Sequence, residues 1–183
     1  MDFELDYLEE KQVGNWKIEK FSISKEQADF YNLISKDHRY DVVPGNYKRL
    51  LCGNEVIMSN TNLERNTHKE AIEKAKGVVL VAGLGLGMYI YNILKKPEVE
   101  TILVVEKSKE VISMVSDYFR YEGKVIIVNK DIFDFDFHKK HKFDFAFFDI
   151  WSNICEDNKK DFKVLRRKFK NIKEKIFWSE DLL

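Results

Sequence analysis

Three alternating glycines after an apolar segment constrain this chain more than any other feature. The segment from Val78 to Met88 reads VVLVAGLGLGM, with glycines at positions 83, 85 and 87. A short, continuous apolar run is typical of a strand buried on both faces of a parallel sheet. Glycines directly after such a strand suit a sharp turn and the close approach of a ligand to the backbone. A helical pattern resumes at Tyr89, so the sequence predicts a nucleotide-binding turn at a helix start.

The spacing of these glycines bears on which class of nucleotide the turn could bind. The run has the form GxGxG, whereas dinucleotide-binding turns have the form GxGxxG. Met88 stands where the dinucleotide pattern has its third glycine. A dinucleotide site is therefore less favoured, and a tight turn without a ligand stays open as the structural alternative.

Composition limits the class of protein. The 183 residues are 44% hydrophobic and have a formal net charge of zero, which suits one domain with a core and gives no overall attraction to nucleic acid or anionic membranes. Cys52 and Cys155 are too few for a disulfide framework, so we expect reduced thiols. The acidic N-terminus does not resemble a signal peptide, and no apolar run approaches the roughly 20 residues that span a bilayer. We therefore expect a cytoplasmic protein without a membrane partner.

The pattern of the chain changes at Gly77. After it, short apolar strands alternate with helical segments, which predicts an α/β fold with a doubly wound, mostly parallel, Rossmann-like sheet that is shortened at its C-terminal end. Before it, two extended runs around Gly53 predict a β-hairpin. We expect an N-terminal extension over residues 1–76 and a core over residues 77–183. The expected strands are 78–82, 101–106, 124–129, 143–149 and 175–178, and the expected helices are 25–34, 62–76, 86–95, 109–120 and 157–169.

Carboxylates stand at the ends of three predicted strands, where open α/β sheets bind their ligands. Glu106 lies 19 residues past the last glycine of the run and can accept hydrogen bonds from ribose hydroxyls. The Asp131 carboxylate could accept a hydrogen bond from the exocyclic amine of a base, and Ile132 offers apolar surface to the flat ring. The Asp149 carboxylate could orient a nucleophile or hold a substrate cation. The Trp151 ring could stack on a planar group. Each also has a structural interpretation as a strand-end charge, a turn, a cap or a core side chain.

Taken in order, these motifs resemble those of class I S-adenosylmethionine-dependent methyltransferases. The resemblance covers roughly residues 77–150 and includes the segment from Phe143-Asp144 to Asp149. It implies S-adenosylmethionine as cofactor, methyl transfer to an acceptor that the sequence does not identify, and Asp149 as the candidate catalytic residue near the transferred group. The cofactor-binding residues that it implies are Gly83, Leu84, Gly85, Gly87, Glu106, Lys107, Asp131 and Ile132, and the candidate substrate-binding residues are Asn60 and Trp151.

Two narrower resemblances bear on the acceptor. The hairpin over residues 55–61 is similar to the region that leads into the core of spermidine synthase-like proteins, which hold a diamine between paired carboxylates. Here Asp149 alone is in register, and Asn153 replaces its partner. The segments MSNT at 58–61, GLGLGM at 83–88 and DIWSNICEDN at 149–158 are similar to small methyltransferase-like proteins of bacteria and their phages.

The alternatives to methyl transfer are aminopropyl transfer and nucleotide binding without turnover. The sequence IWSN after Asp149 differs from the Pro-Pro-aromatic motif of amino-directed DNA methyltransferases, so methylation of adenine N6 or cytosine N4 is not supported. We also expect the hairpin from Met58 to Thr61 to act as a lid.

For the remaining candidate motifs, the sequence favours structural roles over functional ones. The HKKH motif at 138–141 has a spacing that suits a metal on a helix, but two intervening lysines favour a solvated loop, and we expect no metal site. His68 stands alone and is expected in the core or on the surface, facing the pocket only if the hairpin covers it. The basic run at 159–175 predicts a solvated amphipathic helix more than a nucleic-acid contact face. The expected partner is therefore a small or macromolecular methyl acceptor, and homodimer formation is left open.

Overall fold

The computed structural model describes residues 5–35, 41–120, 122–136 and 142–183. Within these ranges the chain forms an antiparallel sheet of four strands and a parallel sheet of five. The HKKH motif lies outside the described residues. The strands are β1 (Lys11–Val13), β2 (Trp16–Ile23), β3 (Gly45–Cys52), β4 (Glu55–Ser59), β5 (Gly77–Ala82), β6 (Val99–Glu106), β7 (Val125–Asn129), β8 (Phe145–Phe148) and β9 (Glu174–Phe177). The helices are α1 (Lys25–Ile34), α2 (Asn62–Lys74), α3 (Met88–Leu94), α4 (Lys109–Val115) and α5 (Asn158–Lys168).

The strand before the glycine run lies at the centre of the parallel sheet. The strand order is β7-β6-β5-β8-β9, so β6 and β7 lie on one side of β5 and β8 and β9 lie on the other. Side chains of β5 alternate between two buried layers, with Val79 and Val81 in one and Leu80 and Ala82 in the other. Helices α2, α3 and α4 contribute to the first layer and α5 to the second. Because both faces are covered, the prediction of a doubly wound α/β sheet is confirmed.

The glycine turn and α4 differ in detail from the predicted elements. Helix α3 begins at Met88 rather than at 86, because Gly83, Gly85 and Gly87 have φ values of +99°, +51° and +74°, which a right-handed helix excludes. Helix α4 ends at Val115 and tightens into a 3₁₀ turn, whereas the sequence pattern predicts a helix to position 120. Both differences lie at element ends, where local backbone geometry decides the boundary.

The N-terminal part of the chain is more regular than expected. The predicted hairpin is present as β3 and β4, joined at Gly53, but it forms only half of a sheet. Strand β2 pairs with β3 along its whole length, from Trp16 opposite Cys52 to Ile23 opposite Gly45. The first described residues also pack onto the core, since the Tyr7 ring stacks on Tyr91 with a centroid distance of 4.7 Å.

Two further sequence expectations concern the whole chain. Both cysteines are free thiols. Among the helices of the described ranges, none is long and apolar enough to cross a membrane.

Candidate functional site

A cleft of about 760 Å³, measured with its open mouth, lies at the carboxyl edge of the parallel sheet. Strand β6 pairs with one side of β5 and β8 with the other, so the cleft is at the point where open α/β sheets bind ligands. The antiparallel sheet covers part of it, through Trp16, Leu50, Ile57 and Met58. Among the predicted residues, those that line the cleft are Gly83, Gly85, Glu106, Lys107, Asp131, Ile132, Asp149 and Trp151.

The glycines of the turn are required by the packing of the protein itself. A Cβ atom on Gly83 would lie 2.0 Å from the main-chain oxygen of Asp149, and one on Gly85 would lie 2.5 Å from the sulfur of Met58. A Cβ atom on Gly87 would lie 2.7 Å from the Phe119 ring. These contacts bring β8 and the β3–β4 hairpin against the turn. The predicted close approach to the backbone is therefore made by protein atoms at all three positions.

Glu106 is tied to the glycine turn by its carboxylate. The Leu84 N–H donates to Oε2 at 2.8 Å, and the Ser108 N–H donates to Oε1 at 2.7 Å. Burial raises the pKa of Glu106 above its ordinary value, although these two N–H groups favour the charged form. A carboxylate oxygen has two acceptor positions, so both oxygens can still accept a hydrogen bond from a ligand in the cleft. Leu84 and Gly87 contribute to the turn but are not among the described residues that line the cleft.

Beyond Glu106, the end of β7 provides a polar and an apolar group. Asp131 accepts a hydrogen bond from the Phe133 N–H at 2.8 Å through Oδ1, which closes a short turn. This turn places Ile132 and Phe133 beside Asp131 in the cleft lining. Asp131 is therefore both a turn residue and part of the cleft lining.

The partly exposed carboxylate of Asp149 pairs with the buried His68, a contact between residues 81 positions apart. The His68 Nε2 atom lies 3.0 Å from Asp149 Oδ2, and Nδ1 lies 2.6 Å from the main-chain oxygen of Glu64. A carbonyl oxygen can only accept, so Nδ1 carries a proton, and the bond from Nε2 to a carboxylate then requires the imidazolium form. Burial lowers the pKa of His68, but the hydrogen bond and charge of Asp149, together with Glu64, outweigh it and leave that pKa raised.

Glu64 adds a second carboxyl group at this end of the cleft. It lines the cleft together with Asp149, and its carboxyl group hydrogen-bonds with the main chain of Ser59. Burial raises the pKa of Glu64 to about 7; nearby Asp149 also raises it, whereas His68 lowers it. The sequence interpretation missed Glu64 and left His68 conditional on the hairpin. Their spacing of four residues on one helix is the signal that places them on the same face.

The two candidate substrate-binding residues lie in different surroundings. The Trp151 ring lines the cleft, and its N–H donates to Asp161 at 3.0 Å. Trp178, which the sequence interpretation did not select, lines the same cleft and donates to Thr67 at 3.0 Å. Asn60 is buried but is not among the described residues that line the cleft. Its Oδ1 accepts a hydrogen bond from the main-chain N–H of Lys48, which ties β3 to the end of β4.

Comparison with known proteins gives similarity of fold only. No protein-family model matches the chain, and no curated protein matches it. Among solved structures, a dimethyladenosine transferase from Plasmodium falciparum is 19% identical, with a TM-score of 0.45 over 61% of this chain and 40% of that one. An S-adenosylmethionine-dependent methyltransferase from Clostridium acetobutylicum is 23% identical, with a TM-score of 0.40 over 59% of this chain and 44% of that one. A spermidine synthase from Thermotoga maritima is 16% identical, with a TM-score of 0.43 over 80% of this chain and 47% of that one. The chain therefore spans less than half of the length of each of these structures.

Proposed function

We propose that this chain is an S-adenosylmethionine-dependent methyltransferase whose acceptor is still to be identified. The observation that carries the proposal is the carboxylate of Glu106, held beside the glycine turn by the Leu84 N–H. It lies at the end of the strand next to β5, inside the cleft, and retains acceptor capacity on both oxygens. This arrangement suits the two neighbouring hydroxyl groups of a ribose.

The rest of the cleft fits the same cofactor. Asp131 and Ile132 provide an acceptor and an apolar surface for an adenine, next to the residue that would bind the ribose. Asp149, which follows β8 on the other side of β5, provides a carboxylate near the place where the positively charged sulfur would lie. When bound, S-adenosylmethionine supplies an electrophilic methyl group on its positively charged sulfur. The contribution of the chain is then to orient the acceptor and to exclude water, which are effects of position rather than of a dedicated nucleophile.

Aminopropyl transfer is the second candidate function, and one observation favours it. The sequence pattern leaves Asp149 without a carboxylate partner, but the structure brings Glu64 from α2 into the same cleft. Two carboxyl groups at one end of the cleft suit an acceptor with amino groups.

Cross-linking with methyl-labelled S-adenosylmethionine under ultraviolet light tests the donor site. We expect the wild type to be labelled, and Glu106→Ala to bind the donor about 1–3 kcal/mol more weakly, because charged hydrogen bonds are lost. Glu100→Ala is the matched control, since Glu100 is exposed at the opposite end of the same strand. Equal labelling of wild type and Glu106→Ala would contradict the ribose role.

Turnover separates the candidate functions. Incubation with S-adenosylmethionine and an acceptor panel is expected to give methylated product and S-adenosylhomocysteine. A polyamine product from decarboxylated S-adenosylmethionine and a diamine would favour aminopropyl transfer. Donor binding without either product would favour a binding protein.

A further inference from the structure

The positive charge of the chain is concentrated in one segment. Residues 159–175 contain nine lysines and arginines and two acidic residues, a net charge of +7, although the whole chain has a net charge of zero. The rest of the chain therefore has a net charge of −7. Helix α5 and the turn after it carry most of the positive charge, so the molecule has a basic surface that its overall charge does not indicate.

The cations of this segment differ in whether an acidic side chain compensates them. Lys160 pairs with an aspartate one helical turn before it, and Arg166 pairs with a glutamate near the C-terminus. Four other cations are exposed to solvent and have no acidic partner among the described side chains: Lys163, Arg167, Lys170 and Lys173. We call these four residues the basic row.

The first two cations of the basic row lie on the side of α5 that faces away from the core. Phe162 and Leu165 pack inward, and Lys163 and Arg167 are one helical turn apart on the opposite side. Like charges at a spacing of four residues repel each other and destabilise a helix. A bound anion would remove this repulsion, so the basic row suits a ligand better than it suits the fold itself.

Helix α5 also borders the cleft. Asp161 and Lys168 are seven residues apart and therefore lie on the same flank of the helix. The Trp151 N–H donates to Asp161 at 3.0 Å, and the Lys168 ammonium group donates to the main-chain oxygen of Phe133. Trp151 and Phe133 both line the cleft. The basic row is therefore separated from the cleft by about the width of one helix, roughly 10–12 Å.

The composition of this surface favours one class of partner. The apolar face of α5 is buried in the core, so it cannot enter a lipid bilayer as the apolar face of an interfacial helix does. Val164, at 53% exposure, is the exposed large apolar side chain of α5, whereas the centre of a protein interface is rich in apolar and aromatic residues. Lysine and arginine without apolar neighbours are typical of contacts with phosphates, whose binding releases counterions.

We propose that the basic row binds the phosphate backbone of a single-stranded nucleic acid. One row of cations matches one backbone, whereas a duplex presents a backbone on each side of its grooves. Arg167 can donate two parallel hydrogen bonds to a phosphate, and the lysines act as point charges. The surface lies outside the cleft, so this inference goes beyond the proposed function and does not depend on it.

Fluorescence anisotropy with a labelled oligodeoxythymidylate of about 20 nucleotides, which exceeds the length of one such site, measures the binding. The titration is repeated between about 50 and 200 mM salt. Each phosphate contact of a single strand contributes about −0.7 to the slope of log affinity against log salt concentration, so four contacts predict a slope of about −3. Lys163→Gln/Arg167→Gln is expected to reduce the slope to about −1.5 and to weaken binding at least about tenfold at the lowest salt concentration.

The matched control is Lys25→Gln/Lys69→Gln. It removes the same net charge from exposed positions on α1 and α2, so it should bind the oligonucleotide with the affinity and slope of the wild type. Both double variants change exposed side chains only, and unfolding midpoints no lower than that of the wild type will show that they are folded.

The absence of saturable binding at about 50 mM salt would overturn the proposal. An equal loss of affinity in the two double variants would also overturn it, because net charge rather than the basic row would then govern binding. Polyglutamate or phosphatidylserine vesicles that bind more tightly than the oligonucleotide, and lose this binding in Lys163→Gln/Arg167→Gln, would identify an acidic protein or a membrane surface as the partner instead. The assay contains no S-adenosylhomocysteine, so its failure would leave the proposed function unaffected.

Discussion

Replacing Glu64 by Gln should change how the stability of the protein depends on pH. The pKa of Glu64 is about 7 in the folded chain and near 4.5 when the group is fully solvated. A carboxyl group with a raised folded-state pKa stabilises the fold below its unfolded pKa, and this stabilisation is lost as the pH rises through the folded pKa. A difference of about 2.5 between the two pKa values corresponds to about 3 kcal/mol at about 1.4 kcal/mol per pKa unit.

Urea denaturation between pH 4.5 and pH 8 measures this effect. The quantity to compare is the change in unfolding free energy of the wild type minus that of Glu64→Gln, because titrations common to both proteins cancel. We expect the wild type to lose about 3 kcal/mol more than the variant over this range. Glu70→Gln is the control, since Glu70 is 66% exposed on the same helix and pairs only with Lys74 among the described side chains. Parallel pH profiles for wild type and Glu64→Gln would refute the burial argument.

Two further predictions test contacts around the cleft. Asp149→Asn should lower the pKa of His68, because the carboxylate that opposes the effect of burial is lost; an NMR titration of the imidazole protons measures it, and an unchanged pKa would contradict the pairing. Gly87→Ala should destabilise the fold by about 1–3 kcal/mol more than Gly53→Ala. Both glycines have positive φ, but only a Cβ atom at position 87 meets an aromatic ring, whereas the space at 53 is open; equal unfolding midpoints would contradict this difference.

The parallel sheet could be predicted because its signals are local. The strand VVLVA is apolar throughout, and a strand with that pattern has to be covered on both faces. Glu106, Asp131 and Asp149 follow the ends of strands, and the carboxyl ends of parallel strands meet at one edge. Strand position alone therefore places these side chains in one region before any contact is known.

The contacts around Asp149 could not be predicted in the same way. The pair between His68 and Asp149 joins α2 to the end of β8, and no local pattern fixes which helix face meets which strand end. In β2, polar residues such as Lys17 and Glu19 alternate with apolar ones, a pattern that is typical of a half-buried strand but does not identify the strand with which it pairs. Its full pairing with β3 is a tertiary contact that strand propensity does not encode.

The most direct test of the proposed donor site is a calorimetric titration of the wild-type protein with S-adenosylhomocysteine and, separately, with NAD. Both ligands carry an adenosine, so the comparison asks which chemistry the glycine turn and Glu106 accommodate. We predict binding of S-adenosylhomocysteine at one site per chain and no saturable binding of NAD. Binding of NAD without binding of S-adenosylhomocysteine would contradict the account.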